Sequence, residues 1–232
     1  MAECEPKGLY AAETLDILTE ADAVLEDDHF VYISGDHGSG WIDKDAIYLH
    51  TERIERLCRD MAKVVRELGA EVVCGPATGG LIIAEWTAHE LGILSTFTEH
   101  EPAPEGPALR GRFVLRRGYD QIVCGKRVLI VDDIVNTGLS LRQTGEAVCG
   151  AGGRVVGAAC LVSRGNVAAA GLDVDRFVFL LEYKIPAWAA SACPLCKSGV
   201  PINTRYAHGR EFLARQGGDK LAMFSRKKHR RR

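Results

Sequence analysis

Long apolar runs are missing from this sequence of 232 residues. No stretch reaches the roughly 20 consecutive apolar residues that a membrane-spanning helix requires, which argues against a membrane protein. The first residues, Met-Ala-Glu-Cys-Glu-Pro-Lys, also lack the basic and then apolar pattern of a secretion signal. These two absences predict a cytoplasmic protein with no membrane partner.

A cysteine framework is missing as well. The eight cysteines are scattered without regular spacing, and Cys74, Cys149 and Cys160 lie inside apolar runs. In a cytoplasmic protein, such thiols are expected to stay reduced and to be buried as small hydrophobic groups. The sequence therefore predicts no disulfides.

The common nucleotide-binding signatures do not occur at the Gly-rich turns of this chain. Neither Gly-x-x-x-x-Gly-Lys-Ser/Thr nor Gly-x-Gly-x-x-Gly is found there. Nucleoside triphosphate hydrolysis and dinucleotide binding are therefore disfavoured.

The composition favours one enzyme domain. Hydrophobic residues make up 47% of the chain and charged residues 26%, so the chain can bury a large core. The net charge of −2 conceals a basic tail, because Arg226 to Arg232 holds 6 of the 29 basic residues and the remainder carries −8. Short basic ends are usually disordered and solvated, so nucleic acid is a disfavoured partner.

Strand and helix patterns alternate along the chain, as a doubly wound α/β sheet requires. Helical spacing of apolar residues predicts helices over Leu9–Leu25 and Ile54–Leu68, the second capped by Gly69. A further helix is predicted over Leu81–Leu91. Extended segments are predicted at Phe30–Ile33, Glu71–Cys74, Leu94–Thr98, Val128–Val131 and Leu161–Arg164.

The most informative segment is Val128 to Ser140. Its apolar start predicts a strand buried on both faces, and Asp132 and Asp133 stand at the carboxyl end, where parallel sheets bind ligands. The turn Thr137 to Ser140 is expected to open a helix whose free N–H groups favour phosphate. Because carboxylates accept hydrogen bonds from hydroxyls, acids beside a phosphate site indicate a phosphorylated polyol such as ribose 5-phosphate.

A second Gly-rich turn, Gly75 to Gly80, follows the strand Glu71–Cys74 and precedes the helix Leu81–Leu91. Its free backbone N–H groups are suited to a second phosphate. Two such turns on one sheet suit a doubly phosphorylated ligand.

The segment Val128–Ser140 resembles the phosphoribosyl diphosphate (PRPP) motif of the type I phosphoribosyltransferases, and Gly75–Gly80 is similar to their pyrophosphate loop. The resemblance implies an α/β fold with a central parallel sheet flanked by helices and a small N-terminal hood. The catalytic residues that it implies are Asp132 and Asp133, which would hold the ribose hydroxyls, and Arg116 and Arg117, which match basic positions that contact diphosphate. The implied ligands of the 5-phosphate are Asn136, Thr137, Gly138, Leu139 and Ser140, and those of the diphosphate are Thr78, Gly79 and Gly80.

Two further segments are similar to the orotate-using members of this family. These are the hood segment His29–Asp45 and the strand end Leu161–Arg164. The resemblance implies that Arg164 meets the base and its carboxylate through a planar pair of hydrogen bonds. The other base-binding residues that it implies are Ser34 and Lys44.

The resemblance implies transfer of the 5-phosphoribosyl group from PRPP to a nucleobase, with orotate favoured and diphosphate released. The implied cofactor is Mg²⁺, bound through the substrate near Asp132 and Asp133 without a cage of protein ligands. A homodimer is expected.

Two alternatives stay open. Ile33 replaces a hood lysine that is usual in orotate enzymes, and only seven residues separate Arg117 from Gly125, where those enzymes carry a long loop. These departures favour an enzyme that salvages a purine or another pyrimidine. In place of the long loop, the segment Glu101–Arg112 is a candidate lid. The alternative of another class is a regulator that binds PRPP without catalysis and uses the basic tail on nucleic acid.

We expect four segments: an N-terminal helix and hood (1–50), an α/β core (51–185), a C-terminal extension (186–225) and a disordered tail (226–232). The extension contains Cys193-Pro194-Leu195-Cys196. Zinc needs about four ligands, and only His208 is close in sequence, so a turn with two reduced thiols is favoured over a zinc site at Cys193 and Cys196.

Overall fold

The structure, a computed structural model, describes residues 8, 10–102, 111–165 and 167–215. Its α-helices are α1 (Ala11–Glu20), α2 (Lys44–Tyr48), α3 (Thr51–Val65), α4 (Gly79–Leu91), α5 (Tyr119–Val123), α6 (Leu139–Gly150) and α7 (Pro194–Lys197). Its strands are β1 (Val24–Leu25), β2 (Phe30–Val31), β3 (His37–Gly38), β4 (Trp41–Ile42), β5 (Val72–Pro76), β6 (Leu94–Glu101), β7 (Arg112–Leu115), β8 (Arg127–Val135), β9 (Arg154–Ser163), β10 (Phe177–Glu182) and β11 (Ala187–Trp188). Residues 209–215 are also helical. Most of the candidate lid and all of the basic tail lie outside the described residues.

The chain divides into two compact units. The core unit consists of Met1–Ala21 and Lys44–Lys184, and the hood unit of Asp22–Asp43 and Ile185–Arg232, each taken over its described residues. The hood unit thus combines an early and a late segment of the chain. The division into four segments stays a prediction.

A six-stranded sheet forms the centre of the core unit. Its order is β10-β9-β8-β5-β6-β7, and the strands are parallel except for β7, which is antiparallel to β6. Residues Val128 to Val131 of β8 are fully buried, as their apolar run predicts for a strand covered on both faces. The sheet confirms the predicted α/β class.

The neighbours β5 and β8 mark the point where the order of the sheet reverses, because β5 leads to β6 on one side and β8 leads to β9 on the other. Their pairing runs from Val72 and Val128 to Cys74 and Ile130 and ends there within the described residues. Beyond that point, β5 pairs with β6 as far as Pro76, and β8 pairs with β9 as far as Val135. A crevice therefore opens between their carboxyl ends, where α/β sheets bind ligands.

The helix predicted from Ile54 is confirmed. α3 continues into a 3₁₀ turn that ends at Leu68, and Gly69 follows in the left-handed conformation at φ 62°. The first predicted helix was too long, because α1 ends at Glu20 and Val24–Leu25 forms β1. Asp22, at φ 53°, adopts a left-handed backbone that a helix cannot continue through.

Two small sheets build the hood unit. β11, β3 and β2 form one antiparallel sheet, and β1 pairs with β4. The C-terminal segment is fastened to these strands by backbone hydrogen bonds. The N–H of Asn203 donates to the carbonyl of His29 at 2.8 Å, and that of His208 donates to Val31 at 2.9 Å.

The cysteine prediction is partly wrong. Cys74 and Cys160 are buried, but Cys149 is exposed near the end of α6, where the helix turns its surface to solvent. All seven cysteines within the described ranges are free thiols.

Over the same ranges, no helix has the length and apolar character needed to cross a bilayer.

The centre of β8 is buried in the hydrophobic core of the core unit. Ile130 is fully buried in a cluster with Leu141, Cys160 and Leu172. We expect Ile130→Ala to lower the free energy of unfolding by about 2–5 kcal/mol, because the lost contacts leave a cavity. The measurement is urea denaturation followed by circular dichroism. Ile122→Ala, at a side chain that is 40% exposed, is the control, and an equal loss there would contradict this account.

Candidate active site

The two acids of the PRPP motif lie inside β8. The strand runs to Val135, beyond the predicted end at Val131, because its pairing with β9 continues to Ser163. Helix α6 begins at Leu139, and Gly138 precedes it at φ 74°. Thr137 and Gly138 therefore lie in the turn, and the predicted first helical turn holds only for Leu139 and Ser140.

Two side chains, Lys44 and Tyr48, contact the carboxylate of Asp133. Its side chain is buried, and Lys44 Nζ lies 3.1 Å from Oδ2. The hydroxyl of Tyr48 donates a hydrogen bond to the same oxygen. Lys44 and Tyr48 are four residues apart on α2 and therefore project from one face of that helix. The contacts neutralise and orient the carboxylate.

The Gly-rich turn packs directly against the acids. A Cβ atom on Gly79 would lie 1.8 Å from Asp133 Oδ2 and 2.9 Å from Lys44 Nζ. On Gly80 it would lie 2.5 Å from the Pro76 ring and 3.1 Å from Asp132 Oδ1. Only glycine permits this approach at Gly79, where the clash is with a buried and tethered carboxylate. Because α4 begins at Gly79, two residues before the predicted start, its free N–H groups lie beside the acids.

The pKa values of Asp132, Lys44 and Tyr48 are all shifted by burial and by neighbouring charges. Burial and the adjacent charge of Asp133 raise the pKa of Asp132 well above its usual range. Burial alone would lower the pKa of Lys44, but the attraction of Asp133 outweighs it and raises that pKa. Burial, followed by Asp133, also raises the pKa of Tyr48. Lys44 is therefore a cation and Tyr48 a donor, while ionised Asp132 calls for a further donor or cation.

The other predicted site residues lie in the turns beside the acids, at the end of β9 and in the hood unit. Asn136 and Thr137 are exposed in the turn after β8, and Thr78 is exposed immediately before α4. Arg164 follows β9, and its backbone N–H donates to the carbonyl of Val135 at 2.9 Å. Ser34 belongs to the hood unit, where its hydroxyl donates to Asp36 at 3.0 Å. The residues that meet around the acids are Lys44, Gly79, Gly80, Asp132 and Asp133.

Arg116 and Arg117 form ion pairs with acids of β6. Arg116 lies 2.8 Å from Glu101, and Arg117 lies 2.8 Å from Glu99. All these side chains are at least partly exposed. Exposed pairs of this kind contribute at most about 1 kcal/mol, so an anionic ligand can replace the glutamates at little cost.

Sequence reasoning missed Tyr48. Its spacing of four residues from Lys44 in a short helix was the signal that could have revealed it. It also missed Gly75, where a Cβ atom would lie 2.0 Å from the carbonyl oxygen of Gly80.

Comparison with known families decides what this arrangement belongs to. The model of the phosphoribosyl transferase domain matches residues 45–195. This range includes the turns that follow β5 and β8. The chain belongs to the phosphoribosyltransferase family. It is a PRPP-dependent phosphoribosyltransferase, that is, a pentosyltransferase, as its two turns predicted.

Relatives of this phosphoribosyltransferase cover most of its length. It is 38% identical over 193 residues to the orotate phosphoribosyltransferase of Bartonella tribocorum, covering 82% of this chain and 93% of the relative. The crystal structure of orotate phosphoribosyltransferase from Aeropyrum pernix matches with a TM-score of 0.54 and 26% identity, over 72% of this chain and 90% of that one. The Mycobacterium tuberculosis orotate phosphoribosyltransferase in complex with PRPP shares the fold, with a TM-score of 0.55 and 24% identity over 74% and 94% of the two chains.

Gly79 permits the contact between the turn and Asp133. We expect Gly79→Ala to lower kcat/KM of phosphoribosyl transfer at least about 100-fold, because the new methyl group displaces Asp133 from Lys44 and Tyr48. Steady-state kinetics with PRPP measures the effect. Gly150→Ala is the matched control, since a Cβ atom there meets nothing within 4 Å. Normal activity in Gly79→Ala would refute the assigned geometry.

The raised pKa of Asp132 makes stability depend on pH. Above the ordinary aspartate pKa, the native state holds this proton more tightly than the unfolded state, so stability falls as pH rises toward the native pKa. Asp132→Asn removes that loss, and its amide oxygen can still accept the Asp133 N–H. We expect the variant to be more stable than the parent by on the order of 1 kcal/mol at pH 8, with no gain at pH 3.

Denaturant titrations across this pH range measure the difference. Asp16→Asn, at an exposed position of α1, is the control and should show no pH-dependent gain. A stability difference for Asp132→Asn that is the same at pH 3 and pH 8 would contradict the prediction.

Proposed function

We propose that this phosphoribosyltransferase joins the 5-phosphoribosyl group of PRPP to orotate, forming orotidine 5'-monophosphate and releasing diphosphate. The observation that carries the proposal is the contact of Asp132 and Asp133 with the Gly79–Gly80 backbone where β5 and β8 diverge. It occurs in a chain that is 38% identical to an orotate phosphoribosyltransferase over most of both lengths.

The acids are suited to hold the sugar. Lys44 and Tyr48 keep one oxygen of Asp133 occupied, and the backbone N–H of Ile134 donates to the other. Asp133 is therefore fixed in position, while Asp132 is available as an acceptor for a ribose hydroxyl. A sugar held in this way can lose diphosphate through an oxocarbenium-like state, and attack of the base nitrogen inverts the configuration at C1.

The backbone turns are suited to the two phosphate ends. The turn from Asn136 to Ser140 offers N–H groups and hydroxyls to the 5-phosphate, and Thr78 to Gly80 offers N–H groups to the diphosphate. Arg116 and Arg117 would exchange their exposed glutamate partners for the departing diphosphate, whose higher charge attracts them more strongly.

Magnesium fits the donor set of this site. Asp132 and Asp133 supply carboxylate oxygens, which Mg²⁺ prefers. Lys44 attracts both acids, but its charge does not offset the burial of Asp132 and the repulsion from Asp133. The chemistry that a bound Mg²⁺ would supply is neutralisation of the negative charge that develops on the departing diphosphate. Asp132 and Asp133 are the residues that would hold it, directly or through water.

Arg164 is the residue that we assign to the carboxylate of orotate. It follows β9 directly, and its backbone is bonded to Val135 at the carboxyl end of β8. A planar guanidinium can bind a planar carboxylate through two parallel hydrogen bonds.

Three further expectations stay predictions. They are that Ser34 and Lys44 contact the base, that the protein is a homodimer and that it is cytoplasmic.

The test is a panel of free bases incubated with PRPP and Mg²⁺, with consumption of each base followed by chromatography. We expect orotate to be consumed and uracil, which differs from it only in lacking the carboxylate, to be left. Arg164→Lys should raise KM for orotate about 10- to 100-fold, because the paired hydrogen bonds of the guanidinium are lost. Arg142→Lys, an exposed change on α6, should leave KM unchanged.

The alternatives give different outcomes. Consumption of adenine, hypoxanthine or guanine in place of orotate would replace the proposal with purine salvage. Consumption of no base, together with salt-sensitive binding of RNA or DNA, would favour a PRPP-sensing regulator.

A further inference from the structure

Four side chains with metal-binding atoms meet inside the hood unit. They are His29, His37, Cys193 and Cys196, and one ligand atom from each lies within 4.8 Å of all the others. His29 Nε2 lies 2.8 Å from His37 Nδ1, 3.6 Å from Cys193 Sγ and 3.7 Å from Cys196 Sγ. Cys196 Sγ also lies 3.3 Å from His37 Nδ1. The phosphoribosyl chemistry of the core unit uses none of the four.

These separations match the edges of a zinc tetrahedron. With Zn–N near 2.0–2.1 Å and Zn–S near 2.3 Å, tetrahedral geometry places nitrogen about 3.6 Å from sulfur and the two nitrogens about 3.3 Å apart. The three nitrogen–sulfur distances of 3.3–3.7 Å lie around that value. The two imidazole nitrogens need to separate by only about 0.5 Å.

The protein orients His29 for this role. Its Nδ1 lies 2.8 Å from the carbonyl oxygen of Val200. A carbonyl only accepts hydrogen bonds, so Nδ1 carries the proton and the lone pair of Nε2 faces the other three groups. Protein zinc sites commonly fix a histidine ligand through such a bond on its other nitrogen.

Burial separates this cluster from a chance surface grouping. His29, His37 and Cys193 are almost fully buried, and the edge of the Phe212 ring system packs against His37 with ring centroids 4.9 Å apart. Cys196 is exposed, which gives an ion a path of entry. Thiols and imidazoles placed together in this way favour zinc over Mg²⁺ or Ca²⁺, which prefer oxygen ligands.

We propose that the hood unit binds one structural Zn²⁺ through His29 Nε2, His37 Nδ1, Cys193 Sγ and Cys196 Sγ. All four positions of the ion are taken by protein, so the site is structural and not catalytic. Of the two ligands weighed from sequence, both cysteines belong to it, but their partners are the hood histidines and not His208.

The site explains how a small unit made of two distant segments is held together. The apolar side chains larger than alanine or cysteine that are buried in its described residues are Phe30, Val31, Tyr32 and Ile42. Small units with so little buried apolar surface commonly depend on a metal or on disulfides. The ion would join β3 to the Cys-x-x-Cys turn, which lies 159 positions later in the chain.

The first test is the metal content of the full-length protein purified without chelator, measured by inductively coupled plasma mass spectrometry. We expect about one zinc ion per chain. His37→Asn and Cys193→Ser should lower the zinc content at least about tenfold. His208→Asn, Cys124→Ser and Cys149→Ser are matched controls and should retain it, since none of these side chains belongs to the cluster.

The second test uses the unsubstituted protein, so that misfolding of a variant cannot decide the outcome. Replacement of zinc by Co²⁺ should produce thiolate-to-cobalt charge transfer and the intense visible bands of tetrahedral cobalt. Chelation should lower the melting temperature of the hood unit, and added Zn²⁺ should restore it. Neither measurement needs PRPP or a base, so both are independent of the proposed orotate activity.

Three results would overturn the proposal. These are a metal-free protein whose melting is indifferent to chelator and zinc, a cobalt spectrum without thiolate bands, and a disulfide between Cys193 and Cys196 in protein freshly purified under reducing conditions.

Discussion

A carboxylate that is buried beside a second carboxylate is the constraint on which the site depends. Burying Asp133 is costly unless both of its oxygens are satisfied. Lys44 and Tyr48 satisfy one oxygen, and the backbone N–H of Ile134 satisfies the other. Helix α2 supplies both side-chain partners of this group, and the absence of a side chain at Gly79 leaves room for it.

The same arrangement leaves Asp132 in a state that suits the substrate more than the empty protein. Its raised pKa means that the ionised form is held at a cost until a hydroxyl or a cation arrives. Functional sites commonly keep groups that do not favour the folded state by themselves. Under the proposed function, a ribose hydroxyl bound at Asp132 would relieve this electrostatic cost.

Local patterns were enough to predict the framework of the site. The apolar run Val128–Val131 predicted a buried strand, which is confirmed. The turn predicted over Gly75–Gly80 is shorter than expected, because β5 runs to Pro76 and α4 begins at Gly79. Strand ends were less predictable, because pairing with β9 extends β8 past the two acids. The meeting of His29 and His37 with the Cys-x-x-Cys turn depends on tertiary folding across most of the chain, and no spacing rule encodes it.

The divided hood unit has a consequence for the order of assembly. A ribosome delivers Asp22–Asp43 early, but the strand and turns that complete this unit lie after Lys184. Domains generally fold as their residues emerge, so the parallel sheet can form while the early hood strands still wait for their partners. A chain interrupted shortly after β10 would therefore keep its nucleotide crevice and carry an unfinished hood with two unligated histidines.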